Sequence, residues 1–172
     1  MATDTDVRSV SEFDRERYLG LWYEIGRLPL KWEDANATHI TAEYSLQDDG
    51  DVRVDNRCFD NAGKPTQSIG RAKPVGDVPG RLKVSFLPEF LRWIPFTEGD
   101  YWVLKLDPEY TVALVGTPDR KNLWLLARQP DVPASIVDEY RAEAERQGFD
   151  LTDWISPDQD GRRVNDDLLH ED

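Results

Sequence analysis

Two residues of this chain have side chains suited to nucleophilic or acid–base chemistry, Cys58 and His39. Cys58 is the only cysteine among 172 residues, and His39 is the only histidine outside the last three residues. A cysteine attacks as its thiolate, which forms when a nearby cation or base lowers the pKa of the thiol. No histidine or lysine is evident beside Cys58 on its face of a strand-like segment. We therefore interpret Cys58 as a buried inert thiol. The alternative is an enzyme that uses Cys58 as its nucleophile, and retained turnover in Cys58→Ser would exclude it.

Other catalytic and metal-binding patterns are missing from the sequence. Two histidines and one cysteine do not approach the ligand set of a zinc site. The 34 acidic residues are typical of a solvated surface rather than of a paired general acid and base in a shared cleft. No glycine-rich phosphate loop is present. We expect no catalytic residue, no metal and no cofactor.

The net charge of −13 excludes nucleic acid as a partner, because the phosphates would be repelled. A single cysteine excludes an intramolecular disulfide. No apolar stretch is long enough to cross a bilayer, and the first residues lack the pattern of a secretory signal. We expect a cytoplasmic or peripheral membrane protein, or a periplasmic or outer-membrane one if an N-terminal signal is missing. The acidic surface fits either ordinary solubility or adaptation to high salt.

The elements that would position any site are short runs of β-branched, aromatic and aliphatic residues separated by turn signals. They predict eight strands, at 21–29, 39–47, 51–59, 66–75, 81–86, 99–107, 110–117 and 122–129. Tight and longer connections alternate along the chain. This alternation predicts an all-β fold, an eight-stranded antiparallel up-and-down β-barrel with tight turns at one end and larger loops at the other.

A helix is predicted after residue 130 and packs on the outside of the barrel. Asp131 is the predicted N-cap, Pro133 falls in the first turn, and Gly148 ends the helix. Apolar residues recur at helical spacing at Ile136, Val137, Tyr140 and Ala144. Residues 149–155 predict a further short strand. We expect one domain, 14–155, between an N-terminal tail, 1–13, and an acidic, mobile C-terminal tail, 156–172.

The alternation within each strand identifies the side chains that face the inside of a barrel. On the third strand it places Val54, Asn56 and Cys58 inside, with charged residues between them outside. On the fourth strand the inner face carries the small residues Ser68 and Gly70, which leave room. The pattern favours a cavity that holds one small ligand, with a fully packed core as the alternative.

Three regions of the chain give it a family resemblance. They are GLWYEIGR at 20–27, LDPEYTVALVGTPDR at 106–120 and LWLLARQP at 123–130. Together they resemble the three conserved regions of the lipocalins. Over residues 14–155 the chain is most similar to the branch that contains the bacterial lipocalins, the temperature-induced lipocalins of plants and apolipoprotein D. The resemblance implies that Trp22 closes the narrow end of the barrel, with the guanidinium of Arg128 stacked on its ring.

The resemblance also implies a function. We expect a noncatalytic carrier of one hydrophobic or amphipathic ligand, such as a fatty acid or lysophospholipid, in lipid transport, storage or membrane maintenance. The alternatives are a chromophore carrier, for a retinoid, haem or bilin, and a lipocalin-fold enzyme. Strand alternation and the family positions together predict the ligand-binding residues Tyr44, Val54, Asn56, Phe86, Tyr101, Val103, Ala113, Val115, Trp124 and Leu126.

Polar groups near the mouth would orient the head of such a ligand. The side chains of Asn56, Tyr101 and Asn122 are predicted to lie near the mouth, and Arg57 or Lys31 to reach an anionic head from the rim.

The segment FLPEFLRWIPF, residues 86–96, is rich in apolar side chains but follows neither a strand nor a helix period. In the barrel it becomes the connection between the fifth and sixth strands at the open end, and its two prolines keep it out of regular structure. The lipocalin resemblance associates such a loop with membrane contact. We predict a monomer or weak homodimer whose entrance loop gates the cavity and contacts membranes transiently, with an inward-folded lid as the alternative. The predicted entrance residues are Phe90, Leu91, Trp93 and Ile94.

Overall fold

The computed structural model describes residues 6–29, 36–86 and 97–170, which form a closed barrel of eight antiparallel strands. Each strand pairs with the next, and β1 also pairs with β8. The predicted fold and its eight strands are confirmed. The strands are β1 (Gly20–Arg27), β2 (Thr38–Leu46), β3 (Val52–Phe59), β4 (Pro65–Pro74), β5 (Arg81–Phe86), β6 (Thr97–Leu106), β7 (Val112–Gly116) and β8 (Leu123–Ala127).

Alternating side chains divide the apolar residues into two layers. One layer fills the inside of the barrel and includes Val54, Val103 and Val115. The other lies on the outer face of β6, β7 and β8 and includes Leu114 and Leu125, both fully buried. These strands are apolar on both faces because a helix covers their outer side. The period of two along each strand therefore produces both the interior and the surface on which the helix packs.

This helix, α2 (Ala134–Arg146), buries Tyr140 and Ala144 against the outer layer. Its N-cap is Pro133, without a side-chain hydrogen bond, so the prediction that Asp131 caps it is wrong. Asp131 lies two residues before the N-cap, so its carboxylate is not at the position from which a side chain accepts hydrogen bonds from the first free amides of the helix. Gly148 ends the helix in the left-handed conformation, at φ +92°. None of the helices in the described ranges is long and apolar enough to cross a membrane.

The narrow end of the barrel is closed by a short helix, α1 (Arg15–Tyr18), and by Trp22 at the start of β1. Trp22 is fully buried, and its indole N–H donates to the carbonyl of Tyr18 at 2.8 Å. The guanidinium carbon of Arg128 lies 3.9 Å from the centre of the Trp22 ring. The same guanidinium donates to the carbonyls of Arg17, Leu21 and Tyr110 at 2.9 to 3.0 Å. The stacking of Arg128 on Trp22 is the contact that the resemblance implied, and the hydrogen bonds of Arg128 also join α1, β1 and the segment before β7 at the closed end.

The chain that follows α2 returns to the barrel and lies between β1 and β2 near the open end. Arg27 and Ile155 exchange backbone hydrogen bonds of 2.9 and 2.8 Å, a single bridge where a short strand was predicted. The side-chain amide of Gln159 donates to the carbonyls of Glu24 and Ile40, at 2.9 and 2.8 Å. This amide joins β1 and β2 beyond the stretch where the two strands pair directly.

Farther along, the C-terminal segment covers the outer face of β3. The guanidinium of Arg162 lies 4.3 Å from the centre of the Phe59 ring, and Val164 is buried. Arg57 donates to the carbonyl of Val164 at 3.1 Å and to the carboxylate of Asp166 at 2.7 Å. The acidic composition of 156–172 predicts a mobile tail, whereas its described part holds these contacts with the barrel, because it carries both apolar and charged groups that match β3.

Beneath this segment, Asp55 is a buried carboxylate on the outer face of β3. It accepts two hydrogen bonds of 3.0 Å from Arg57 and two of 3.1 Å from the Gln67 amide. Burial alone would raise the pKa of Asp55, but these hydrogen bonds and the charges of Arg57 and Arg53 outweigh it and hold the pKa below its ordinary value. The ionised form of Asp55 is therefore favoured by folding.

Asp55→Asn is expected to lower the free energy of unfolding at pH 7 by about 1–3 kcal/mol, because a charge-assisted network loses its acceptor. The lowered pKa means that this stabilisation is present above the ordinary value of 3.8 and is lost as the pH falls through the lower folded value. Urea unfolding of both proteins at several pH values should show the difference between them shrinking in acid. A difference that is independent of pH would contradict the assignment, and Asp49→Asn, at an exposed pair with Arg71, provides the control.

Candidate ligand cavity

The inner faces of β3 and β4 become more accessible toward the open end of the barrel. Residues that lie opposite each other on paired strands share a face, and here Ala72 pairs with Val52, Gly70 with Val54, and Ser68 with Asn56. Ala72, near the closed end, is buried; Gly70 is half-buried; and Ser68, nearest the mouth, is exposed. Ser68 also lies beyond the last residue pair that β4 forms with β5, Gly70 with Phe86, so it stands at the rim of the described barrel. The accessibility of this face therefore increases from the packed interior at Ala72 to the rim of the open end at Ser68.

Most of the predicted ligand-binding residues face this interior. Tyr44, Val54, Val103, Ala113, Val115 and Leu126 belong to the inner apolar layer, and Tyr101 and Trp124 pack against it while half-buried. Asn56 is half-buried and faces inward opposite Ser68. The side chain of Phe86 and all four predicted entrance residues, Phe90, Leu91, Trp93 and Ile94, lie outside the described residues. Ligand contact by any of these residues stays a prediction.

Three tyrosine hydroxyls meet deep inside the barrel. The hydroxyl of Tyr101 lies 2.7 Å from that of Tyr18 and 2.8 Å from that of Tyr44. Tyr18 belongs to α1, at the closed end, and Tyr44 pairs with Gly20, the first residue of β1. Tyr101 therefore reaches the floor of the barrel rather than the mouth, which corrects its predicted height. We call Tyr18, Tyr44 and Tyr101 the tyrosine triad.

Burial is the main reason that the pKa values of all three triad tyrosines lie above the ordinary value. The hydroxyls consequently keep their protons at neutral pH and act as hydrogen-bond donors. The negative charge of Glu24 adds to the rise in the pKa of Tyr44. A void of about 20 Å³ lies beside the triad, between it and the inner side chains of Val52, Ala72 and Val84, among others. Such a volume has room for about one water molecule.

An ion pair, between Glu24 and Arg27 of β1, is also buried in the barrel. The Nε atom of Arg27 lies 3.3 Å from Oε2 of Glu24, and Arg27 is fully buried. Glu24 is opposite Leu126 and Arg27 is opposite Trp124, both of which face inward. The pairing of β1 with β8 shifts by one residue between Glu24 and Gly26. The extra residue in β1 allows Glu24 and Arg27, three positions apart, to face the same side of the strand.

Sequence patterns could have indicated only part of this polar interior. Glu24 stands two residues after the inward-facing Trp22, so plain alternation predicts that it faces inward. The same alternation predicts that Arg27 faces outward, and the glycine inside the strand, Gly26, is the signal that could have indicated the bulge. Tyr18 precedes the first strand, where alternation does not apply.

The remaining predicted polar groups lie elsewhere. Asn122 is half-buried in the connection between β7 and β8 at the open end. Arg57 is engaged on the outer face, and Lys31 lies outside the described residues. The thiol of Cys58 lies 3.1 Å from the hydroxyl of Thr66. Within the described ranges no three histidine, cysteine, aspartate or glutamate side chains form a group that could hold a metal ion.

Comparisons with a family model, with related sequences and with solved structures all identify the same kind of protein. The family model described as a lipocalin-like domain matches residues 13–159. The outer membrane lipoprotein Blc of Escherichia coli K12 is 42% identical over 90% of this chain and 84% of its own length. Temperature-induced lipocalin-1 of Arabidopsis thaliana is 36% identical over 88% of this chain and 82% of its own.

Among solved structures, insecticyanin from the tobacco hornworm Manduca sexta superposes with a TM-score of 0.71. The match covers 91% of this chain and 86% of insecticyanin, at 23% sequence identity. At this level of identity the likeness concerns the fold. It agrees with the closed eight-stranded barrel and the helix that packs on its outer side.

Proposed function

Because the chain belongs to the lipocalin-like family, which its sequence relatives share, we propose that it is a noncatalytic carrier of one amphipathic lipid. The ligand would be a fatty acid, a lysophospholipid or a similar membrane-derived molecule, held in the barrel with its chain among the inner apolar residues. The observation that carries the proposal is the inner face of β3 and β4, which becomes accessible toward the open end, where Gly70 and Ser68 are less buried than Ala72.

The lining suits an acyl chain. Burial contributes roughly 0.8 kcal/mol per methylene, so a long chain supplies enough free energy to offset the costs of association and ordering. The side chains of Val103, Val115 and Leu126 belong to the inner apolar layer, and the half-buried ring of Trp124 packs against it. A single deep, mostly apolar site with few polar groups is typical of a binding protein for one small ligand.

The location of the protein is part of the same proposal. The E. coli relative is named an outer membrane lipoprotein. A carrier of membrane-derived lipid would work beside a membrane, and we propose a position at the cell envelope for this chain. The transient membrane contact of residues 86–96 stays a prediction.

The direct test is to ask what the purified protein carries. Extraction followed by mass spectrometry is expected to release fatty acid or lysophospholipid in near-equimolar amount, and the stripped protein should bind a dansyl-labelled fatty acid. Coloured protein with a retinoid, haem or bilin would contradict the lipid proposal. Stripped protein that binds neither the labelled fatty acid nor a lysophospholipid would overturn the carrier function.

Trp124→Ala is expected to weaken binding of the dansyl-labelled fatty acid by about tenfold, because an inner aromatic wall is lost. Fluorescence titration of the stripped protein measures the change. Trp102→Ala removes a tryptophan from the neighbouring outer layer and should leave the affinity as it was. Equal affinity of wild type and Trp124→Ala would remove Trp124 from the site.

A further inference from the structure

The tyrosine triad has one more hydroxyl hydrogen than its hydrogen bonds use. Each hydroxyl has one hydrogen to donate, and three hydroxyls form two hydrogen bonds, Tyr18 with Tyr101 and Tyr101 with Tyr44. Each bond uses one hydrogen, whichever way the hydroxyls rotate. Within the described residues, one of the three hydroxyl hydrogens therefore has no acceptor. A buried donor without an acceptor is unfavourable, so a partner that enters the barrel and accepts this hydrogen is favoured.

Tyr101 is the member of the triad best placed to present that hydrogen to a ligand. Tyr18 and Tyr44 are 5% and 6% exposed, whereas Tyr101 is half-buried and stands between them. Tyr18 and Tyr44 can both donate to Tyr101, which then directs its own hydrogen elsewhere. A tyrosine hydroxyl is protonated at neutral pH, and burial raises the pKa of all three further, so this donor persists.

The charged residues near the triad indicate whether the acceptor is charged or uncharged. Glu24 lies inside the barrel, close enough for its carboxylate to act on Tyr44. The cation beside it, Arg27, is already paired with Glu24 at 3.3 Å. The other cation that acts on the triad, Arg128, already donates to the carbonyls of Arg17, Leu21 and Tyr110. An anionic group at the triad would leave water without gaining a hydrogen bond from either of these cations, at a high cost. An uncharged oxygen, in a carbonyl, hydroxyl or protonated acid, accepts the hydrogen without that cost.

We propose that the tyrosine triad is a deep hydrogen-bonding site for an uncharged oxygen at the inner end of the ligand. The proposal rests on the carrier function and narrows its ligand class. The preferred ligands are amphiphiles that enter with a carbonyl or hydroxyl group first, or that carry one at the end opposite the head. The apolar chain then occupies the space between the triad and the mouth.

The test compares two probes of nearly the same shape. One is a long-chain methyl ketone, and the other is the alkene in which a CH₂ group replaces the carbonyl oxygen. Each displaces a dansyl-labelled fatty acid from the stripped wild type and from Tyr101→Phe. The preference for the ketone over the alkene is expected to fall by about tenfold in Tyr101→Phe, because only the ketone loses a hydrogen bond. Comparing preferences cancels the different solubilities of the two probes.

Controls separate this site from general effects. Tyr140→Phe removes a hydroxyl on α2 outside the barrel, where it bonds to the Val112 carbonyl, and should leave the preference unchanged. Tyr101→Leu provides a second variant without the Tyr101 hydroxyl if Tyr101→Phe folds poorly. An unchanged preference in both Tyr101 variants, or failure of both probes to displace the labelled fatty acid, would overturn the triad site while the carrier function stands. Failure of the wild type to bind the labelled fatty acid would instead count against the carrier function itself.

Discussion

Trp22→Ala is expected to lower the free energy of unfolding by about 3–5 kcal/mol, which is a large part of the stability of an ordinary domain. Trp22 is fully buried at the closed end, where it packs on Tyr18 with 4.8 Å between the ring centres. Removing its side chain leaves a cavity and deprives the Arg128 guanidinium of the ring on which it stacks. Unfolding in guanidinium chloride, followed by far-ultraviolet circular dichroism, measures the free energy of unfolding without relying on tryptophan fluorescence.

Trp102→Ala is the matched control for Trp22→Ala. The Trp102 ring also stacks on a guanidinium, that of Arg81, at the same centre distance of 3.9 Å, but Trp102 lies on the outer side and is only half-buried. Its loss should cost clearly less than the loss of Trp22. Equal effects of the two substitutions would mean that the stacked cation, rather than burial at the closed end, dominates the contribution of Trp22.

Arg27→Met is expected to lower the free energy of unfolding by about 3–5 kcal/mol, because Glu24 would be left as a buried charge without its cation. Glu24→Leu should be similarly costly, since it leaves the Arg27 guanidinium buried without its anion. Both variants lose the interaction between Glu24 and Arg27, so their effects should not simply add.

The double variant Glu24→Leu plus Arg27→Met is expected to recover much of the stability lost in either single variant. Apolar residues of similar size often replace a buried ion pair with little loss, because the cost of removing two charges from water disappears. Chemical denaturation of the wild type, both single variants and the double variant completes the cycle. Additive losses in the double variant would show that the two side chains act independently.

Sequence periodicity identified the barrel because its wall obeys a simple rule. Every second residue of β3 faces inward, and the small inward residues of β4 were recognisable as those that leave room. The contact between Trp22 and Arg128 came from the resemblance alone, since nothing in strand alternation joins residues so far apart in the chain. Both features depend on local patterns or on motifs that are shared across a family.

The polar interior was harder to predict because it depends on departures from that rule. The bulge at Gly26 reverses the direction that alternation assigns to Arg27. The height of Tyr101 depends on the tilt of β6 and on α1, neither of which a strand pattern contains. The N-cap at Pro133 rather than Asp131 reflects backbone geometry at the start of α2.

The bridge that Gln159 makes between β1 and β2 has a consequence for how the chain folds during synthesis. Its amide binds carbonyls that lie 135 and 119 positions earlier in the sequence. The first strand also waits for the eighth, because Tyr23 pairs with Ala127. Contacts between such distant segments form slowly, and until they form the edge of β1 stays open to other chains. A nascent chain on the ribosome thus cannot close its barrel until β8 has emerged, and it gains the Gln159 bridge only later, so early release or stalling would leave an aggregation-prone open sheet.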